Sequence, residues 1–497
     1  MGKKKSIVLM VLLTIVIVVL SAITVVPSFA VPGTVKKWNP VVNQYDLGSE
    51  LGGAYYTYYY PEGIISEIEY KNEYDAIEDE EERAEYAASY VQHKGLYLST
   101  DADYGIFNED NSAISDDFDK EFKAVTNEII ARYAKKGFSD YCVTVVDDYA
   151  LRVQIPASEK TEENSAFQNA YYVLGSFMET DELELMLGET VIEERAEYEV
   201  NEIIKSFAAK SQNGVGYVEI RFTSVGKEII EEYRKASSED KLKIMIGDQT
   251  VMEIDAEQHV TTRNVVKYYM AYETEMTHVK TMAILLNSLL ENGGFDVAFK
   301  SVASTDVREV EAATGDNTLT LLYIALAIAI VGMIAWAIVK MGGFGISNAY
   351  ATVSYFIVVA MFYAFVTGGV FEITLGSILV FLIGLALVNV LNVQIFDAIR
   401  EELALGKTVE SSVKGGYKHT IWNVVDVYAV ALLASLALLI GVAGMYTLAL
   451  QAIICVCTAA FCNLLWTRVI NVMLLSASKD KYKYFRFARN EEDDDDD

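Results

Sequence analysis

Cysteine and histidine are scarce, four of each among 497 residues, and basic residues are outnumbered, 40 Lys and Arg against 70 Asp and Glu. Each shortage excludes something. Cys455, Cys457 and Cys462 fall in one long apolar run and Cys142 stands alone in the polar part, so no disulfide framework is available there. His93, His259, His278 and His419 are scattered, with no H-E-x-x-H and no Cys–His spacing for zinc, and no metal or other cofactor is expected. A formal net charge of −30 suits neither nucleic acid nor an anionic lipid surface. The string LGKT (Leu405 to Thr408) is no phosphate loop, because Glu401 stands where the first glycine must be and the segment follows a helix. No catalytic constellation is left, and an enzyme is not expected.

What is present is apolar sequence, 52% of all residues, unevenly spread. The start, MGKKKSIVLMVLLTIVIVVLSAITVVPSFA, has two readings. A basic start, an apolar run and Ser28-Phe29-Ala30 could form a cleaved signal peptide. Ile7 to Val26 is nevertheless long enough to cross a bilayer, and residues 1–31 are read as a first transmembrane helix. Five more spans are predicted at about 318–340, 347–369, 374–396, 421–442 and 445–467, with an interfacial extension from Thr467 to Leu475. Lys340, Arg400, Lys407, Lys414 and Lys418 all fall on one side, while Gly368 to Ile373 and Gly441 to Met445 carry no base. That asymmetry predicts both termini in the cytoplasm and residues 32–317 outside it. After the spans of 318–475, the tail of 476–497 is basic and aromatic (Lys479, Lys481, Lys483, Arg486, Arg489), which suits lipid headgroups, and then acidic and solubilising.

The polar region reads as α+β. AYYTYYY (Ala54 to Tyr60) has strand propensity and is read as half-buried sheet rather than as an exposed aromatic strip for unfolded chain. Ile77 to Val91 reads as an acidic surface helix, and Asp117 to Gly137 as an amphipathic one followed by strands at Tyr141–Asp147 and Ala150–Pro156. Gly216 to Ile254 reads as strand, helix and two strands, with a last long helix at Thr277–Asn292. Repeated αββ units with antiparallel strands predict ferredoxin-like architecture.

Thr374 to Asp426 is the stretch around which the rest is arranged. Asn389, Asn392 and Gln394 interrupt an apolar span, a charged amphipathic segment follows, and the next apolar helix carries Asp426. An Asp at the centre of a membrane helix costs on the order of 2.5–3.5 kcal/mol, so such groups face a partner helix or water. Asn389 and Asn392 share one helical face, most simply as glue between helices. Burial favours the protonated form of a carboxyl, which makes Asp426 a candidate proton carrier; pairing with Asn392 or a helix end is the alternative.

Thr374-Leu375, Asn392-Val393, Ile395-Phe396, the run Ile399, Arg400, Glu401, Glu402, Leu403, then Gly406-Lys407, Gly416, Tyr417, Lys418 and Asp426 align without a gap to the fourth and fifth spans of a known family. The stretch resembles the SecD family, accessory subunits of the bacterial Sec protein-export machine. Leu47, Gly48, Glu50, Leu51 and Gly53 resemble that family's entry into its soluble domain, with Glu50 in place of Asp and Ala54 in place of Gly.

The resemblance implies a resistance–nodulation–division type of fold in the bacterial cell membrane: six spans and a large extracytoplasmic domain. It divides that domain into a base, about 32–157 and 275–317, and a head, about 158–274. It implies no cofactor, and as partners SecF, the SecYEG channel, YajC/YidC-type accessory proteins and translocating unfolded polypeptide. The family's titrating Asp of the fourth span is replaced here by Val390, which cannot carry a proton. Rival expectations are half of a small-molecule or lipid transporter of the same superfamily, which would need a cavity among the membrane helices, and a scaffold without proton coupling.

Overall fold

The computed structural model describes residues 3–26, 29–30, 37–38, 41–136, 140–157, 163–187, 190–191, 199–212, 215–236, 241–255, 265–270, 276–314, 318–366, 372–441, 445–478 and 480–487. Lys479, Arg489 and the acidic end therefore lie outside the described residues. The chain forms two compact units, Gly53–Glu311 and a membrane unit of Met1–Gly52 with Ala312–Asp497. Helix α1 (Lys3–Val25) belongs to the second; its apolar residues lie on every side, as a lipid-facing span requires.

The unit of Gly53–Glu311 is α+β. Strands β1 (Ala54–Tyr59) and β2 (Ile64–Ser66) lead into helices α2 (Glu67–Ala76) and α3 (Glu80–Ala88), then into the hairpin β3 (Tyr90–His93) and β4 (Leu96–Ser99). Asp79 caps α3 by accepting from the backbone of Glu81 and Glu82. The acidic helix expected to reach Val91 stops at Ala88, and Tyr90 onward pairs with β4 as a strand.

Helix α4 (Asp116–Lys136) buries Phe118, Phe122, Val125, Ile129 and Tyr133, one stripe at three- and four-residue spacing. Acids fill its first turn and Lys135 and Lys136 its last, matching the helix dipole. β5 (Cys142–Val146), β6 (Ala150–Pro156) and α5 (Glu163–Ser176) follow, then β7 (Leu183–Leu187), β8 (Thr190–Val191), β9 (Ile204–Gln212) and β10 (Val215–Phe222). Then come α6 (Ser224–Ala236), β11 (Lys241–Ile246), β12 (Gln249–Asp255), β13 (Val265–Tyr268), α7 (Met276–Asn292) and β14 (Arg308–Val310).

These strands make antiparallel sheets in the orders β14-β1-β6-β5, β2-β4-β3, β8-β7-β11-β12 and β9-β10-β13. The first two sheets share a core with α4 and α5, and the last two share one with α7. Tyr55 and Tyr59 of the tyrosine run are buried in the first core, so that run is half-buried sheet. Each Leu, Ile or Val so buried contributes roughly 1.5–3 kcal/mol. α7 also packs against α4, where the buried Arg132 guanidinium donates to Ser288 Oγ (2.7 Å) and to the Phe177 and Glu179 carbonyls (2.8 and 2.6 Å).

The membrane unit continues with α8 (Thr318–Met341), α9 (Gly343–Val366), α10 (Leu375–Ala404), α11 (Val409–Gly441), α12 (Tyr446–Phe461) and α13 (Thr467–Ala477). Among the described residues six helices are long and apolar enough to cross a membrane, with α12 and α13 counting as one. The chain is a multi-pass α-helical membrane protein with a large α+β domain.

One sequence expectation needs correction. The charged segment after the fourth span is not a separate element: α10 runs to Ala404 and α11 starts at Val409, with Gly406 turning at φ +76° between them. The helical extension expected from Thr467 is continuous with the sixth span. A single π turn, Cys462–Trp466, joins α12 to α13, and α13 packs on α1 and α9 through buried Ile470 and Asn471.

Candidate functional site

Helix α10 starts where its sequence says it should. Thr374 and Ser377 form a reciprocal capping box, and the Glu50 carboxylate accepts from the Leu375 N–H (3.2 Å), adding negative charge at the helix N-terminus. Glu50 is held there because Asp46-Leu47 pairs in parallel with Glu372-Ile373, Gly48 N–H bonds the Ile373 carbonyl (3.0 Å) and Leu47 and Leu51 are buried. A Glu at the family's Asp position thus supports the N-terminus of α10 from a segment far away in sequence.

Deeper along α10, Asn389 and Asn392 are both buried. The Asn348 side chain, on α9, lies between them: its amide donates to Asn389 Oδ1 (2.7 Å) and its oxygen accepts from Asn392 Nδ2 (2.7 Å). Asn392 Nδ2 also reaches Thr467 Oγ1 (3.2 Å). On the π turn, Asn463 donates to the Val388 carbonyl (3.0 Å) and accepts from the Tyr428 hydroxyl of α11. Four helical segments are tied by neutral groups, which suits interhelical glue worth roughly 0.6–2 kcal/mol per bond. The π turn leaves backbone oxygens for side chains to use, and Thr467 Oγ1 takes that of Cys462 (2.8 Å).

Asn348, Asn463, Thr467 and Tyr428 were not singled out from sequence. Isolated amides within apolar spans were the available signal, and Asn348 and Asn463 carry it as clearly as Asn389 does. Asn392 Oδ1 and both polar atoms of Asn471 are buried without a protein partner among the described residues.

Val390 and Asp426 lie apart from this network. On α10 positions 384, 385, 388, 389, 391, 392, 395, 396 and 399 are among those buried, while Ile383, Ala386, Val390, Gln394 and Asp397 share an exposed stripe. Val390 is 54% exposed. On α11, Val424 and Tyr428 point inward, and Asp426, two residues from each, points outward. Asp426 does not meet Asn392, which bonds α9 and α13 instead. The acid expected at a helix contact faces whatever borders this chain.

The remaining motif residues divide by role. Ile399, Leu403, Gly416 and Tyr417 are buried; a Cβ on Gly416 would stand 2.8 Å from the Ile399 backbone nitrogen, so glycine permits α10 and α11 to approach. Glu402 is buried and accepts from Lys407 and His419, the latter at 3.1 Å, which fastens the turn between the two helices. Arg400 lies over the Phe396 ring (5.8 Å), and Arg400, Glu401 and Lys418 are exposed. An apolar cavity of about 590 Å³, lined by Val25, Tyr45, Leu326, Phe356, Ile373 and Phe381 among others, opens between α1, α8, α9 and α10.

A six-span bundle with a buried amide network and a large α+β domain defines the class of protein, and comparison with known proteins narrows it. No protein-family model matches the chain. The protein translocase subunit SecD of Borreliella burgdorferi is 25% identical over 180 residues, 36% of this chain and 30% of that protein. The solved structure of SecDF in a super-membrane-facing form has the same fold, with a TM-score of 0.51 at 16% identity over 98% of this chain and 59% of that one. SecDF from Thermus thermophilus, described as a translocon-associated membrane protein, aligns over 96% of this chain and 60% of that one at 15% identity, with a TM-score of 0.42 that adds no weight. The chain is SecD-like in sequence and SecDF-like in fold, and it spans less than two thirds of the length of either of these relatives.

Proposed function

We propose that this chain is a SecD-type accessory subunit of the bacterial Sec protein translocase, assisting polypeptide export through SecYEG together with SecF. The reading places it in the cell membrane with both termini cytoplasmic, the α+β domain outside, and a head near 158–274 that grips emerging chain; YajC/YidC-type proteins are further partners. It acts without chemistry of its own. The observation that carries this reading is the SecDF fold over 98% of the chain, joined to SecD-like sequence.

The buried network is built of amides and hydroxyls and holds no carboxylate among the described residues, so it offers no acid for proton coupling. Val390 and Asp426 face outward, so any proton step uses Asp426 against a partner. The test is export in cells depleted of the native protein and supplied with this chain and its SecF, or with Val390→Asp or Asp426→Asn. Restored export by the parent chain is expected. If Asp426→Asn abolishes that export without loss of protein, coupling runs through this half; if it is harmless, coupling lies in the partner.

A second reading, half of a lipid or small-molecule transporter, is favoured by the cavity of about 590 Å³, whose apolar walls suit acyl chains. Failure of the stably expressed parent chain to restore export, together with lipid photo-crosslinks to Leu326 and Phe356, would establish that reading instead.

A further inference from the structure

The small sheet β2-β4-β3 has one edge tied down and one left open. On the β2 side, the Glu62 N–H bonds the Ala298 carbonyl (2.9 Å) and Pro61 bridges to Phe299. On the other side β3 is the outermost strand among the described residues. It joins β4 through the two-residue turn Lys94-Gly95, both at positive φ, which fixes the register Tyr90–Ser99, Val91–Leu98, Gln92–Tyr97, His93–Leu96. Ser99 sends its N–H away from β3, to the Gly63 carbonyl (2.8 Å), while the next residue, Thr100, sends its own to Ser89 (2.8 Å). Antiparallel pairs alternate, so the backbone N–H and C=O of Tyr90 and of Gln92 point away from β4, into the open.

Both faces of this edge can receive side chains. On the core face, Val91 stands beside fully buried Leu98 yet is 41% exposed. On the other face lies a tyrosine stack: Tyr70 of α2 lies flat on Tyr97 (ring centroids 3.6 Å apart) and also contacts Tyr74, Tyr86 and Tyr90. Helices α2 and α3 bury no residue fully, and the Tyr86 hydroxyl donates to Glu73 (2.6 Å). Tyr90–His93 carries neither proline nor bulge; its last residue, His93, is tied to Asp148 (3.0 Å), which leaves Tyr90–Gln92 as the free part of the edge.

Charge selects the occupant. Glu67 to Glu85 holds ten acids against Lys71 and Arg83. The tyrosine faces already hold a cation, since the Arg83 guanidinium sits 5.3 Å from the Tyr74 ring centre.

We propose that β3 is a docking edge for an extended, basic polypeptide segment, which adds as a fourth strand beside Tyr90–His93 and sets alternate Lys or Arg side chains against the tyrosines and acids of α2 and α3. Main-chain bonds to Tyr90 and Gln92 supply affinity for any extended chain, and the flanking charge selects basic ones. That the segment comes from an exported protein rests on the translocase reading; the binding itself does not.

The test uses the full chain in nanodiscs and a fluorescent peptide of about twelve residues alternating Lys with Val or Tyr, read by anisotropy and by amide exchange. Added peptide is expected to protect the amides of Tyr90 and Gln92, and replacing its lysines by glutamates should weaken binding at least about tenfold. Gln92→Pro removes an outward-pointing N–H and leaves the β3–β4 bonds in place; it should also weaken binding at least about tenfold. If Gln92→Pro disturbs exchange in β4, Val91→Lys, which charges the exposed edge, is read in its place. Reversing Glu81 and Glu85 to Lys should narrow the preference for basic peptide, and raised salt should narrow it in the parent chain as well. Unchanged binding by the edge variants, or protection that falls outside 90–93, overturns the proposal. Peptide binding by a chain that fails to restore export would leave the site standing and remove the translocase reading, and restored export without peptide binding would do the reverse.

Discussion

The two units bury polarity in opposite ways. In the membrane unit the buried groups are mostly uncharged, an amide chain from Asn389 through Asn348 to Asn392, and the acid of the second motif helix, Asp426, is turned outward. In the α+β unit two basic side chains are buried among the described residues. Arg132 bonds one hydroxyl and two carbonyls, and Lys136 donates to the Thr277 carbonyl (2.7 Å). The difference follows from the surroundings. Hydrocarbon offers a charge no relief, so amides that satisfy one another are the stable solution among packed spans. A sheet-and-helix domain has loop and helix-end carbonyls to spare, and a buried cation can take them.

The largest effect expected is on helix approach. Gly416→Val forces atoms into the Ile399 backbone and should cost about 3 kcal/mol or more, seen as loss of the monodisperse detergent-solubilised protein on size exclusion. A well-folded Gly416→Val protein would mean that α10 and α11 are not pressed together there. Arg132→Met leaves the Phe177 and Glu179 carbonyls without their donor and should cost about 3 kcal/mol in chemical unfolding of the α+β unit, with the membrane unit unaffected.

Lys136 gives the contrast its pH dependence. Burial, helped by nearby Lys280, lowers its ammonium from an ordinary 10.5 to about 7. Between those values the unfolded chain binds the proton and the folded one does not. Stability therefore rises with pH from about 7 toward 10 and falls back as pH drops to 7, by roughly 1 kcal/mol per pH unit. Lys136→Met should raise stability at pH 7 by about 2 kcal/mol and flatten the difference between pH 7 and 9. An unchanged slope in the variant would show that the lysine stays charged in the fold. The smallest effect belongs to the membrane network: Asn392→Leu, which breaks its bonds to Asn348 and Thr467, should cost about 1 kcal/mol in thermal unfolding, without changing its pH profile.

Much of this was legible in the sequence because it rests on local rules. Thr374 and Ser377 mark the start of α10, and the five-residue run Ile399 to Leu403 with Gly416 marks the crossing that follows. What escaped was rotation and partnership. Asn389 carries a local signal, an amide within an apolar span, but its partner Asn348 lies 41 residues away, and no spacing rule joins them. The cost of an acid in lipid directs Asp426 toward a partner helix or water without saying on which side; a rotation of about 200° from Tyr428 puts it on the outer face.

The sequence alone determined the number of spans, the α+β character of the polar region and the resemblance at Thr374–Asp426, since hydropathy, periodicity and short-range capping are written residue by residue. The tertiary structure alone decided which amides meet, that Val390 and Asp426 look outward, and that Tyr90–His93 is an open edge beside a tyrosine stack. Those outcomes depend on how helices rotate and strands find neighbours across tens to hundreds of residues, where burial of the whole face, rather than any single residue's preference, sets the arrangement.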